Sequence, residues 1–301
     1  MFERLKKFKW QFLASLFLLT SFVWYVVYRE DRHGILTVAF LDVGQGDSIY
    51  IESPNGNQIL LDGGPDRKIL KSLAKVMPFY DRTIDLLALS HPHFDHFGGF
   101  LSVVPRYTVG GLVSSGMIHD TPEFSVLQKI LKEKNIKTIT LRRGSQIDMG
   151  GGVALEVLLP DRDVANAKPH DGMLVVKLTY GKTSVLLTGD MEENLENYLV
   201  LIDGARDGGD PPPPAGEFGE LKSQVLKIGH HGSRTSTSRD FLGYVSPIYA
   251  VISSGAGNSY GHPHRETLDI LDKFGIKALR TDADGTIIFK TNGEELTVSR
   301  P

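Results

Sequence analysis

The stretch IDLLALSHPHFDHFGG, residues 84–99, leads from an apolar run into His91, His93, Asp95 and His96, four metal-ligating types within six positions. The run reads as a buried strand, so the four side chains emerge at the end of a sheet. His91 and His93, two apart in extended backbone, project to the same side. Asp95 and His96 lie past a turn and can face a second centre. Pro92 stiffens the spacing, while Gly98 and Gly99 let other backbone pass close by. A divalent metal needs several lone pairs aimed at one point, about 2.0–2.2 Å away for imidazole or carboxylate on zinc. This loop has the residue types to supply them.

Composition narrows the chemistry in the same direction. The 301-residue chain has no cysteine, which excludes disulfides, thiolate catalysis and any Cys-ligated metal. A transition-metal site must therefore use His, Asp and Glu. Seven of the ten histidines fall in three short clusters. Besides the opening loop these are His230-His231 in KIGHHGS and His262 with His264 in YGHPH, each at or just after a predicted strand end. VLLTGD ends another strand on a carboxylate, Asp190, where a ligand bridging two metals would project.

Around these clusters the apolar runs are short and bounded by Gly, Pro, Asn and Asp. ILTVAFLDV, SIYIES and QILLDGG predict an opening meander, turned by SPNGN. Helices are expected over residues 66–77, 122–134 (capped by Thr121), 191–202 and 264–275. Further strands run through to KALRT and GTIIFKT. Strands mixed with helices in this way predict an α/β (α+β) chain, two packed sheets covered by helices. GARDGGDPPPPAGEFGE, residues 204–220, reads as a solvated loop and not as a domain boundary.

The first 33 residues differ in kind from the remainder at 34–301. Lys6, Lys7 and Lys9 precede WQFLASLFLLTSFVWYVVY, nineteen residues without a charge at 10–28. That length matches a membrane-spanning helix, with Trp10 at one end and Trp24, Tyr25 and Tyr28 at the other as aromatic belts. No A-x-A-like cleavage site follows, which favours an uncleaved anchor over a signal peptide. The basic flank then predicts a single-pass protein of a bacterial cell membrane, its N-terminus cytoplasmic and its main domain extracytoplasmic. That domain is formally −6, no basic nucleic-acid footprint, although bound cations would reverse the sign locally.

The H-x-H-x-D-H loop after a strand, with a downstream TGD and a late HG, resembles the metallo-β-lactamase superfamily. More narrowly, FLDVGQGDSIYIESPNGNQILLDGG, LLTGDME, LKIGHHGSRTSTSRDFL and NSYGHPHRETLDIL resemble, in that order, the hydrolase domain of the ComEC family of competence DNA-uptake proteins. The resemblance implies a four-layer αββα sandwich with its site at the joined sheet edges and two zinc or manganese ions. It implies His91 and His93 on one metal, Asp95 and His96 on the other, and Asp190 bridging them. His231 would complete the second metal and leave His230 to handle a proton or substrate, though the two could be exchanged. His170, in KPHDGMLVV, would be the third ligand of the first metal. ComEC-type domains commonly have Asp where this chain has His93, so the motif here is closer to the wider superfamily.

Other residues carry less weight. Asp42, Gln45, Asp47 and Asp62 sit at strand ends, where a carboxylate either orients a metal-bound His or simply makes a turn. Lys227 can meet a phosphate as a point charge. Ser233, Asn258, Tyr260 and His262 are candidates for positioning substrate, while His33 and His119 read as isolated surface histidines. The expected function is a membrane-anchored, metal-dependent hydrolase, a phosphodiesterase or nuclease acting on DNA in a competence-related process, beside a separate uptake channel protein. The alternatives are a hydrolase of a small or envelope-derived ester (a phosphocholine ester or a lactone) and a non-enzymatic, metal-stabilised binding module of an uptake complex.

Overall fold

The computed structural model describes residues 2–30, 32–206 and 221–300. Its first strands are β1 (Leu36–Phe40), β2 (Ile49–Glu52), β3 (Gln58–Leu61), β4 (Thr83–Leu89), β5 (Thr108–Ser114) and β6 (Lys137–Thr140). There follow β7 (Gln146–Gly150), β8 (Val153–Leu159), β9 (Val175–Tyr180), β10 (Thr183–Leu187) and β11 (Val225–Lys227). The last are β12 (Tyr249–Ile252), β13 (Lys277–Arg280), β14 (Ile287–Thr291) and β15 (Leu296–Ser299). One sheet has the order β15-β14-β1-β2-β3-β4-β5-β6 and the other β13-β12-β11-β10-β9-β8-β7.

Period-two alternation assigns each face to a different core. In β1, Val38 and Phe40 join the core between the sheets, while Ala39 points outward under the helices of the first sheet. In β10, Val185 and Leu187 face inward, and Leu186 packs outward with Leu195, Leu199, Phe241 and Leu271. Three apolar layers thus separate four layers of secondary structure, and the chain forms the expected αββα sandwich. Because both faces of the inner strands are covered, they read as continuous apolar runs.

The opening meander is antiparallel through β1, β2 and β3, as expected. The helix expected at 122–134 spans Pro122–Glu133, and the Thr121 hydroxyl accepts from the Phe124 amide. The next expected helix starts two residues later, at Glu193, and runs to Arg206. The Pro-rich stretch 204–220 lies outside the described residues except where this helix ends. β7 and β15 were not expected; they are only five and four residues long, although both alternate polar with apolar residues.

The expected membrane anchor is corrected by the structure. Phe2–Glu30 form one helix, but among the described residues no helix is long and apolar enough to cross a membrane. Lys9 and Gln11 fall at the start of the apolar run, and Ser15, Thr20 and Ser21 dilute its middle. The single-pass, outward-facing placement drawn from that run is therefore withdrawn.

Strand direction sets the site. β3, β4, β5 and β6 run parallel in the first sheet, and β10, β11, β12 and β13 run parallel in the second. Open α/β sheets present their ligand-binding loops at the carboxyl ends of parallel strands. Here Ser90 and His91 leave β4, Asp190 follows β10, and His230 with His231 follows β11. The Leu174 amide, just before β9, donates to the Ser90 carbonyl at 2.8 Å and stitches the two sheets together there.

Candidate metal centre

The loop after β4 turns into a short helix, Phe94–Phe97, which carries Asp95 and His96 back over the sheet edge. Close approach makes this possible. A Cβ on Gly99 would overlap the Gly63 carbonyl oxygen, and one on Gly98 would overlap that of Pro65. Both positions thus require glycine. The third segment is strained: His230 and His231 have positive φ, 47° and 55°. That region is sparsely populated by non-glycine residues and costs on the order of 1–3 kcal/mol at each position. The strain aims both rings into the site.

The side chains converge in two groups whose potential ligand atoms lie within 4.8 Å of one another. One group is His91, His93 and His170; the other is Asp95, His96, Asp190 and His231. Asp190 Oδ2 stands between them, 3.1 Å from His96 Nε2, 3.4 Å from His231 Nε2 and 3.8 Å from His91 Nε2. Asp95 Oδ2 lies 3.2 Å from His231 Nε2 and 3.9 Å from His96 Nε2.

Electrostatics divides the two groups. Burial, reinforced by neighbouring histidines, pushes His91 well below the usual range and His93 down to about 4, so both present free lone pairs. Burial acts the same way on His96 and His231, yet the Asp190 carboxylate above all overcomes it and draws both well above the usual range. Asp95 resists burial through His96 and His231, which hold it down to about 2. The second group is thus a carboxylate-rich nest seeking positive charge.

The residues fit divalent cations by a further observation. His91 Nε2 and Asp190 Oδ1 are buried and have no hydrogen-bond partner, and each such buried group costs about 1–3 kcal/mol if left unsatisfied. His91 Nε2 faces imidazole and the Asp190 carboxylate, the donor set preferred by borderline and hard divalent ions, while Asp190 Oδ1 has Lys227 Nζ at 3.8 Å. The cluster is suited to divalent metal.

Other groups hold the ring nitrogens turned away from the centre. Asp62 Oδ2 accepts from His96 Nδ1 at 2.8 Å and from the Ser90 hydroxyl at 2.6 Å. The Ser253 carbonyl accepts from His231 Nδ1 at 3.0 Å. Such partners fix the tautomer and raise ligand basicity. Asp62→Asn puts an amide where His96 needs an acceptor. It is expected to weaken metal binding by about 10- to 100-fold in a chelator-competition titration. Unchanged affinity in the folded variant would remove Asp62 from this role.

Several sequence expectations are redirected. Lys227 does not face substrate: it is wholly buried, with Nζ 2.5 Å from Asp47 Oδ2, 2.8 Å from the Gly189 carbonyl and 3.8 Å from Asp190 Oδ1. Ser233 is also buried; it accepts from the Thr235 amide, and its hydroxyl lies 3.0 Å from that of Thr235. Asn258 spends both ends of its amide within its loop, donating to the Gly255 and His262 carbonyls and accepting from the Tyr260 and His262 amides. It shapes the loop that carries His262. That ring lies 5.7 Å from the His230 ring and 6.2 Å from the His231 ring, and the exposed Tyr260 stacks on it. Burial above all pushes His262 down to about 4. His119, read as isolated, comes within 6.0 Å of the His93 ring. Asp42 pairs with Lys68 instead of joining the site.

The profile of the metallo-beta-lactamase superfamily matches residues 41–255, which include every member of both groups. The chain belongs to the metallo-beta-lactamase superfamily. Proteins of this fold are usually metal-dependent hydrolases, and the His/Asp cluster described above is suited to binding divalent metals. The chain is 29% identical over 271 residues to "ComE operon protein 3" of Bacillus subtilis, covering 84% of this chain and 33% of that protein. It is 32% identical over 272 residues to "Competence protein ComA" of Neisseria gonorrhoeae, covering 88% of this chain and 34% of that one. The chain therefore spans about a third of the length of these relatives. Among solved structures it resembles the metallo-beta-lactamase fold protein YhfI from Bacillus subtilis, with a TM-score of 0.54 and 12% identity, covering 85% of this chain and 99% of that one.

Proposed function

We propose that this chain is a metal-dependent phosphodiesterase, a nuclease acting on DNA in a competence-related process, with two zinc or manganese ions held by the two ligand groups. The observation that carries the reading is the position of Asp190 Oδ2, within 3.8 Å of histidines from both groups. The competence proteins among its relatives support the choice of DNA. Two divalent ions in such a site lower the pKa of a water toward neutrality and clamp the oxygens of a transferring phosphate.

The chain's own residues would divide the remaining work. Asp95 and Asp190, acceptor-only as carboxylates, orient the attacking water. His230 stands outside the four-residue group and is half-buried, with room to protonate the leaving oxygen. His262, neutral and facing His230 and His231, borders the substrate path, and the exposed Tyr260 ring offers a surface for a base to stack on.

The test uses the whole chain, stripped of metal and given labelled single- and double-stranded DNA, with zinc or manganese restored. Cleavage that depends on the metal is the expected result. A folded, metal-loaded chain that leaves both DNAs intact but hydrolyses a phosphocholine ester or a lactone would transfer the reading to small esters.

A further inference from the structure

Glu192 follows Asp190 by two positions and belongs to neither ligand group, yet it touches both functions of the site. Its Oε1 lies 3.3 Å from His170 Nδ1 and 3.2 Å from His230 Nδ1, and it accepts from the Thr235 hydroxyl at 3.0 Å. The His170 and His230 rings meet edge to face, their centroids 4.7 Å apart. One carboxylate oxygen therefore serves the turn Pro169–Asp171, the strained turn Gly229–Gly232 and the loop beyond it.

We propose that Glu192 is a positioning residue that fixes His170 and His230 together, each with its proton on Nδ1. A neutral imidazole that donates from Nδ1 has its lone pair on Nε2. For His170 that leaves Nε2 as the nitrogen available to His91 and His93 in the first ligand group. For His230 it leaves Nε2 as the nitrogen that exchanges a proton with the leaving oxygen. The carboxylate thus ties the third ligand of one metal to the residue that handles the proton. This deepens the phosphodiesterase reading and rests on it.

His170, Glu192 and His230 also lie close enough to hold an ion of their own. Geometry favours the positioning role. Both rings turn the same nitrogen, Nδ1, toward the carboxylate, which satisfies Oε1 without an ion. An ion on Nδ1 would also force His170 to lose its remaining ring proton if Nε2 served the first group.

The experiment compares the wild-type chain with Glu192→Gln, both labelled with ¹⁵N-histidine. Long-range ¹H–¹⁵N spectra report each ring's tautomer, and a metal titration counts ions and their affinities. Glu192 is partly exposed, so the variant should fold, and spectral dispersion checks this. The expected result is loss of the fixed Nδ1–H tautomer at both His170 and His230, with one ion bound about 10- to 100-fold more weakly and the other unchanged. Unchanged tautomers and affinities in the variant overturn the proposal. So does a third ion in wild type that disappears in the variant. A wild-type chain that binds no ion instead overturns the two-metal reading, while the tautomer signals still judge Glu192 separately.

Discussion

Replacing Asp190 with asparagine should abolish most of the metal-dependent hydrolysis, lowering kcat/KM by about 10²- to 10³-fold or more, the range lost with a single group that stabilises developing charge. No other carboxylate among the described residues lies within 4 Å of histidine nitrogens from both groups. Burial works against its charge, but His231 and His96 hold its carboxyl well below the usual range, so it stands ionised. Asparagine removes that charge and aims an N–H₂ at nitrogens that must face an acceptor or a cation. The check is kcat/KM together with the number of metal ions retained by the folded variant. Activity within tenfold of wild type, with full metal content, would remove Asp190 from the bridging position.

The second large effect concerns stability. Lys227→Met leaves Asp47 and Asp190 buried without their cation, and breaking a buried pair from one side costs about 3–5 kcal/mol. Burial raises Asp47, yet Lys227 above all, with His231 and His96 behind it, holds its carboxyl below the usual range. The loss is measured by urea unfolding of metal-free protein. Adding Asp47→Asn to Lys227→Met removes one of the stranded charges and should restore part of the stability, a coupling that a double-mutant cycle reads directly. A Lys227→Met chain within 1 kcal/mol of wild type would contradict this account of the cluster. That threshold is about the average effect of a single substitution anywhere in a protein.

Much of this molecule was legible in its sequence, and the failures have physical causes. The sandwich followed from short apolar runs because strands covered on both faces have no polar side to show. The H-x-H-x-D-H loop was conspicuous because His91, His93, Asp95 and His96 are contiguous in the chain. Lys227, expected to meet a phosphate, is buried instead, and period-two alternation carries the signal. Val225 faces the inter-sheet core and Leu226 the outer one, which puts Lys227 back on the inner side. Its partner Asp47 is far away in sequence, so no local pattern announces the pair. Glu192 carries no signal of its own in the sequence, because acidic residues are common at helix starts. His119 was missed because its neighbour His93 comes from a different loop. The anchor reading failed because a charge-free run is not by itself an apolar one, and Lys9 and Gln11 fall at the start of that run.

In the proposed reading, His91, His93, His170, Asp95, His96, Asp190 and His231 hold two divalent ions around a shared carboxylate. The most direct measurement is elemental analysis of the purified chain, reconstituted with zinc or manganese, beside its Asp190→Asn variant. The account predicts two ions per wild-type chain and at least one fewer in the variant. A folded wild-type chain that retains no divalent ion, or a variant that retains two, would contradict it.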